Sequence, residues 1–184
     1  KIQDDIGQSR PIVGAVQAIE ESGENVTPTA LGGVIAKRLG LELDNEIVQI
    51  NRVGRTVSSG YYRLATQPLF DGVVEKGRDY LLVDDFVGQG GTFANLKGHI
   101  EAHGGQAVFA TALTGKPYSA RLTPFQDTLE QLRKKHGTAL EDWWKKEFGY
   151  GFDLLTESEA RYLFNSPDAD TIRNRIAAAK QTGK

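Results

Sequence analysis

Apolar and polar positions along the chain fall into two textures. Up to Gly115 short apolar runs alternate with stretches of helical period, and beyond it the helical period dominates. Residues 10–16, "RPIVGAV", read as a strand after a polar start, and residues 17–25, "QAIEESGEN", as a loop. Thr27 followed by Pro28 predicts an N-cap with proline at the first helical position, and Gly40 stops the helix after Arg38. Residues 46–51, "EIVQIN", form a second strand candidate. Residues 52–77 are polar and loop-rich, with a short strand around residues 69–74. Residues 80–83 are the clearest strand, followed by a helix over 92–103 that Gly104 and Gly105 close, and a further strand over 107–113. This alternation predicts an α/β fold, a parallel sheet of about five strands flanked by helices with right-handed crossovers.

Beyond Gly115, residues 123–136, 140–147, 157–164 and 169–180 read as helices. Thr156 with Glu159 forms a capping-box pattern, and Ser166 before Pro167 predicts another N-cap. The expected organisation is an α/β core over residues 1–118 and a helical C-terminal extension over 119–184, packed on that core.

Composition narrows the function. At 184 residues with 39% hydrophobic content, one α/β domain with an appendage fits. A net charge of -2 argues against a nucleic-acid partner. With Cys 0, disulfides, thiolate metal sites and cysteine nucleophiles are excluded. No apolar run approaches the roughly 20 residues of a membrane span, and no signal-peptide pattern opens the chain, so a cytoplasmic protein without a membrane partner is expected. Lys1 at the start and Met 0 admit two readings, a fragment of a longer polypeptide or a sequence written without its methionines.

The chemistry concentrates in residues 80–92, "YLLVDDFVGQGGT", where an apolar strand runs into two carboxylates and then a glycine loop. A loop joining a parallel strand to a helix lies at the carboxyl edge of the sheet, where ligands of open α/β sheets bind. Glycines let backbone N–H groups approach an anion, and the helix N-terminus adds partial positive charge. Thr92 is the expected N-cap, and a side chain at Gly90 would occupy the anion's space. Asp84 and Asp85, facing the same cleft, suit sugar hydroxyls or a hydrated Mg²⁺. Three other motifs fail. A dinucleotide fingerprint needs glycine where Phe93 stands, and no Gly-Lys-Ser/Thr ends a Walker A loop. A phosphoacceptor domain needs its acceptor at a later strand end, whereas Asp127 lies in a helical pattern.

From about Pro11 to Lys116 the chain resembles the type I phosphoribosyltransferases, whose signature is an apolar run, two acids, two further residues and a loop ending Gly-Gly-Thr or Gly-Ala-Thr. "LLVDDFVGQGGT" matches it throughout. "PIVGAV" and "ALGGVIAKRLGLEL" resemble the family's first strand, pyrophosphate loop and helix. "INRVGRTVSSGYYRL" resembles its flexible loop, nearest to the competence-protein-like branch. The resemblance implies that Asp84 and Asp85 bind the ribose hydroxyls of phosphoribosyl pyrophosphate. It implies that Gly88, Gln89, Gly90, Gly91 and Thr92 bind its 5-phosphate, that Gln17 and Ala18 bind its pyrophosphate, and that Mg²⁺ bridges ribose and pyrophosphate near the two acids. Two departures stand out. Gly88 and Gln89 replace the usual Thr or Ser hydroxyls, and the pyrophosphate loop carries Glu20, Glu21 and Glu24, which would repel pyrophosphate if they faced it.

Other residues complete the expectation. Arg55 and Arg63, with Arg52 nearby, would neutralise charge on departing pyrophosphate. Tyr118 is the base-stacking candidate after Lys116 and Pro117. His99 and His103 have a metal-ligand spacing but no third ligand, and packing suits them better. Trp143 and Trp144 cannot share one helix face. The function so implied is Mg²⁺-dependent transfer of a phosphoribosyl group to a nitrogenous base, by a cytoplasmic enzyme with small-molecule partners and room for a homodimer. The alternative is a non-catalytic domain that senses phosphoribosyl pyrophosphate or a nucleotide and regulates a partner through its helical tail.

Overall fold

A computed structural model describes residues 2–20, 23–53, 59–116, 119 and 121–182. The chain clusters into two compact units. The first comprises Lys1–Gly54, Pro68–Val87 and Thr92–Gly115, and the second Arg55–Gln67, Gly88–Gly91 and Lys116–Lys184.

The first unit opens with a short helix, α1 (Ile2–Ile6), and is built on a parallel sheet. Its strands are β1 (Ile12–Ala15), then the two-residue β2 (Ile19–Glu20) and β3 (Gly23–Glu24), which pair with each other. After α2 (Thr27–Leu39) come β4 (Val48–Gln49) and, later in the chain, β5 (Phe70–Asp71) and β6 (Asp79–Val87). Helix α4 (Gly91–Ala102) and β7 (Gln106–Gly115) follow, with α3 (Gly60–Ala65) of the second unit intervening earlier in sequence. The parallel sheet has three strands in the order β1-β6-β7. Central β6 is paired on both sides and residues 80–84 are buried, which explains its near-continuous apolar run.

The α/β class and the helical C-terminal region are as the sequence predicts, but the parallel sheet has three strands among the described residues rather than about five. A fourth begins and stops. Val13 pairs with Leu43 in an isolated parallel bridge, after which Asp44 Oδ1 accepts the N–H of Glu46 at 2.7 Å and turns the chain away. The 46–51 segment then keeps only Val48–Gln49 as strand, antiparallel to Phe70–Asp71. Below the sheet, Gly32 of α2 lets the helix approach closely, since a Cβ there would lie 3.1 Å from that of Ala15. Val13, Ala15, Ile35, Ala36, Leu81 and Val83 form that core. Phe93, Leu96 and Ile100 are the buried stripe of α4. Helix α2 ends at Gly40 in the left-handed region, as predicted, but its N-cap is Val26 rather than Thr27. Asn25 Oδ1 instead accepts the Thr27 N–H.

The second unit is helical: α3, α5 (Gln126–His136), α6 (Thr138–Phe148), α7 (Glu157–Phe164) and α8 (Ala169–Thr182). Its core gathers Leu64, Leu132, Leu140, Trp144, Leu163 and Ile176, all fully buried. Trp144 packs on Phe148 with ring centroids 4.3 Å apart, while Trp143 is half-buried. Helix α3 lies where the polar sequence suggests loop. Ser59 accepts the Tyr62 N–H to cap it, and Gly60 lies against the Tyr162 ring so closely that a Cβ would come within 2.4 Å. The capping box of α7 is present in both arms. At α8, however, Asp168 Oδ1 accepts the N–H of Thr171, whereas Ser166 accepts from the Tyr61 hydroxyl.

Two buried ionisable groups in this unit have hydrogen-bond partners. Glu141 holds Arg133 in a two-pronged contact, each prong 2.7 Å, and this keeps its carboxyl below the usual range. His136 is buried with Nε2 3.0 Å from the Leu163 carbonyl, and burial pushes its pKa down. The folded state therefore favours neutral His136. Its contribution to stability is full above the unfolded value of about 6.5 and is lost as pH falls through the lower folded value. Thermal unfolding of the wild type should thus lose more midpoint between pH 7.5 and 5.5 than that of His136→Gln.

Candidate functional site

In the first unit, β1 and β6 run parallel with Ala15 opposite Val83, and Val16 N donates to the Val83 carbonyl at 2.9 Å. Gln17 and Ala18 therefore leave β1 at the same sheet edge where β6 carries Asp84 and Asp85. This brings together four of the predicted residues. The strand continues through both acids to Val87, however, rather than ending at them. Successive strand residues point to opposite faces, so the acids diverge instead of sharing one. Asp84 takes the face of Tyr80 and Leu82, opposite Ala112, and is 7% exposed. Its Oδ1 accepts the Asp85 N–H at 2.8 Å. Asp85 is half-buried on the face of Leu81 and Val83, and its Oδ2 accepts Asn25 Nδ2 at 3.1 Å.

Asn25 is the residue that sequence reasoning missed. The β2–β3 ribbon reverses the chain so that Asn25 N donates to Ala18 O at 3.0 Å, and the side chain then spans the start of α2 and Asp85. An Asn two residues ahead of Thr27-Pro28 is a visible turn signal, but its partner lies 60 residues away. Gln17 contributes its carbonyl to Gln49 N at 2.8 Å, which pins the segment after β1. The side chains of Glu20, Glu21 and Glu24 lie outside the described residues.

The glycine loop belongs to the second unit. The Gly88 carbonyl accepts from Ser119 Oγ, and the Gln89 carbonyl accepts from Thr156 Oγ1 at 2.6 Å. Gly90 is buried with φ 85, a conformation that favours glycine. A Cβ on it would meet Ser119 O at 3.0 Å and Thr156 Cγ2 at 3.3 Å. That direction is filled by protein and holds no space for an anion. Helix α4 begins at Gly91, so Thr92 stands within its first turn and is not the residue before it.

The remaining candidates separate. Arg63 lies on α3 beside the fully buried Leu64, held by helix packing rather than on a free loop. Arg52 is exposed. Arg55 and Tyr118 lie outside the described residues. His99 Nε2 sits 3.3 Å from the Gly72 carbonyl and His103 Nδ1 2.8 Å from the His99 carbonyl, and no cluster of three metal-ligating side chains occurs among the described residues. Mg²⁺ takes oxygen ligands, often one or two carboxylates together with substrate phosphates, and Asp84 and Asp85 fit that donor set. No helix among the described residues is long and apolar enough to cross a membrane.

No family model matches the chain. Protein TraN of Escherichia coli is 42% identical over 175 residues, covering 95% of this chain and 39% of that protein. An adenine phosphoribosyltransferase of Kosmotoga olearia is 34% identical over 87 residues, 44% of this chain and 51% of the enzyme. The chain thus spans about half or less of these relatives. Among solved structures, the adenine phosphoribosyltransferase of Thermoanaerobacter pseudethanolicus aligns at a TM-score of 0.43 and 23% identity, covering 62% of each chain.

The packing around Gly90 makes a prediction that needs no ligand. Gly90→Val should lower the unfolding free energy by about 3 kcal/mol in a urea titration, through backbone strain and overpacking.

Proposed function

We propose that the chain is a type I phosphoribosyltransferase-like domain that binds phosphoribosyl pyrophosphate and transfers its phosphoribosyl group to a nitrogenous base. The observation that supports this best is the convergence of Gln17, Ala18, Asp84 and Asp85 at the carboxyl edge of a parallel sheet, on a strand that runs on into a glycine loop and a helix. In this reading Asp84 and Asp85 accept the ribose hydroxyls, with Asp85 the more exposed of the two and oriented by Asn25. Backbone N–H groups from Gly88 to Thr92 hold the 5-phosphate, while Gln17 and Ala18 approach the pyrophosphate. A base nitrogen attacks C1 of the ribose as the bond from C1 to the pyrophosphate oxygen breaks. Arg55 and Arg63 meet the charge growing on the leaving group, and Tyr118 stacks on the base. Asp84 and Asp85 would hold Mg²⁺, which when bound would supply charge neutralisation for the pyrophosphate.

A second reading is a non-catalytic sensor of the same ligand, and one observation favours it. Arg63 stands on a helix anchored by Leu64, so it lacks the freedom of a closing loop.

Replacing both acids, Asp84→Asn with Asp85→Asn, should weaken phosphoribosyl pyrophosphate roughly a hundredfold in calorimetry and inorganic phosphate far less. Equal losses for the two ligands would remove the diol role. Pyrophosphate release, measured with Mg²⁺ across purine, pyrimidine and pyridine bases, should be positive for at least one base. With that base, Arg63→Ala should lower kcat more than donor affinity. Binding with no release for any base would replace the transferase with the sensor.

A further inference from the structure

Gly88 and Gln89 stand where the resembling family carries hydroxyl side chains, yet two hydroxyls do reach this loop, from distant parts of the second unit. Ser119 Oγ donates to the Gly88 carbonyl and Thr156 Oγ1 to the Gln89 carbonyl at 2.6 Å. Both residues are fully buried. Thr156 has one hydroxyl hydrogen, and its oxygen already accepts the Glu159 N–H at 3.1 Å in the capping box. The hydrogen is therefore left for Gln89, and the helix cap and the loop share a single oxygen.

Peptide units fix what this does to the loop. No cis peptide bond occurs among the described residues, and in a planar trans peptide the N–H points opposite to the C=O. The Gly88 carbonyl shares its peptide with the Gln89 N–H, and the Gln89 carbonyl shares its peptide with the Gly90 N–H. Drawing both carbonyls to Ser119 and Thr156 turns both N–H groups the other way. Gly90 is buried, and Ser119 O and Thr156 Cγ2 fill the space that a Cβ on it would take.

We propose that Ser119 and Thr156 are positioning residues for the loop, aiming the Gln89 and Gly90 N–H groups at the phosphate of a sugar phosphomonoester. The proposal rests on the reading of Gly88 to Thr92 as the 5-phosphate loop. The helical unit then does the work of the missing loop hydroxyls indirectly, by orienting donors instead of supplying them.

Titration calorimetry of the full chain with ribose 5-phosphate, and separately with inorganic pyrophosphate, tests this. Thr156→Val keeps the methyl against Gly90 and removes the hydroxyl. It and Ser119→Ala should each weaken ribose 5-phosphate roughly tenfold, while pyrophosphate changes less than about twofold. Thr156→Ser should restore affinity. Glu159→Ala breaks the other arm of the capping box, so it should lower Tm and leave ribose 5-phosphate affinity within about twofold. If the wild type binds ribose 5-phosphate and Ser119→Ala and Thr156→Val bind it equally well, the positioning role is refuted and the loop reading survives. An equal loss in Glu159→Ala would reduce the effect to helix stability and refute it too. A wild type that fails to bind ribose 5-phosphate would overturn the loop reading and this proposal together. Should Thr156→Val not fold, Ser119→Ala decides by the same comparison.

Discussion

The candidate site depends on the two-sided pairing of β6. Hydrogen bonds to β1 on one side and β7 on the other hold a strand that is buried from Tyr80 to Asp84. A carboxylate at such a position loses water, and an isolated buried charge would be costly. The strand answers this locally. Asp84 takes the N–H of its neighbour, and Asp85 takes an amide from Asn25, so each acid is oriented before any ligand arrives. Orientation of this kind reduces the ordering cost of binding. The strand also sets the spacing between elements: without the register that puts Ala15 opposite Val83, Gln17 and Ala18 would leave β1 at a different height.

Local signals in the sequence translate well where the structure obeys them locally. Gly40 ends α2 because only a residue tolerant of φ 63 closes that turn, and Thr156 with Glu159 marks the start of α7 because both partners lie within one turn. The strand at residues 80–83 and the acids beside it are legible for the same reason. Helix α3 is not legible. Its only fully buried side chain, Leu64, finds its core among residues of α5 to α8, so the segment on its own looks polar. The fourth strand stops at Asp44, where one carboxylate captures backbone donors that a ladder would need.

The site follows the same division. Asp84, Asp85, Gln17 and Ala18 lie at one sheet edge because strands β1 and β6 are neighbours, an order that alternating strands and helices do not by themselves specify. The bonds from Asn25 to Asp85 and from Thr156 to Gln89 join residues 60 and 67 positions apart, beyond the reach of any local pattern. Adjacent acids in sequence suggest a shared cleft, yet a continuing strand sends them to opposite faces. Thr92 looks like an N-cap by residue type, but the helix starts at Gly91.

The way the chain is threaded through its two units bears on how such a protein can be divided. The second unit draws on three separate segments, Arg55–Gln67, Gly88–Gly91 and the C-terminal stretch from Lys116. Its core needs Leu64 from the first of these as well as the helices of the last. No single cut in the gene releases either unit whole. Removing everything after Lys116 would leave α3 without the side chains that bury it, and would strip the glycine loop of the hydroxyls bound to its carbonyls. Inheritance of the two units is therefore joint: recombination can carry them together into a longer polypeptide, but cannot exchange the helical one as a cassette.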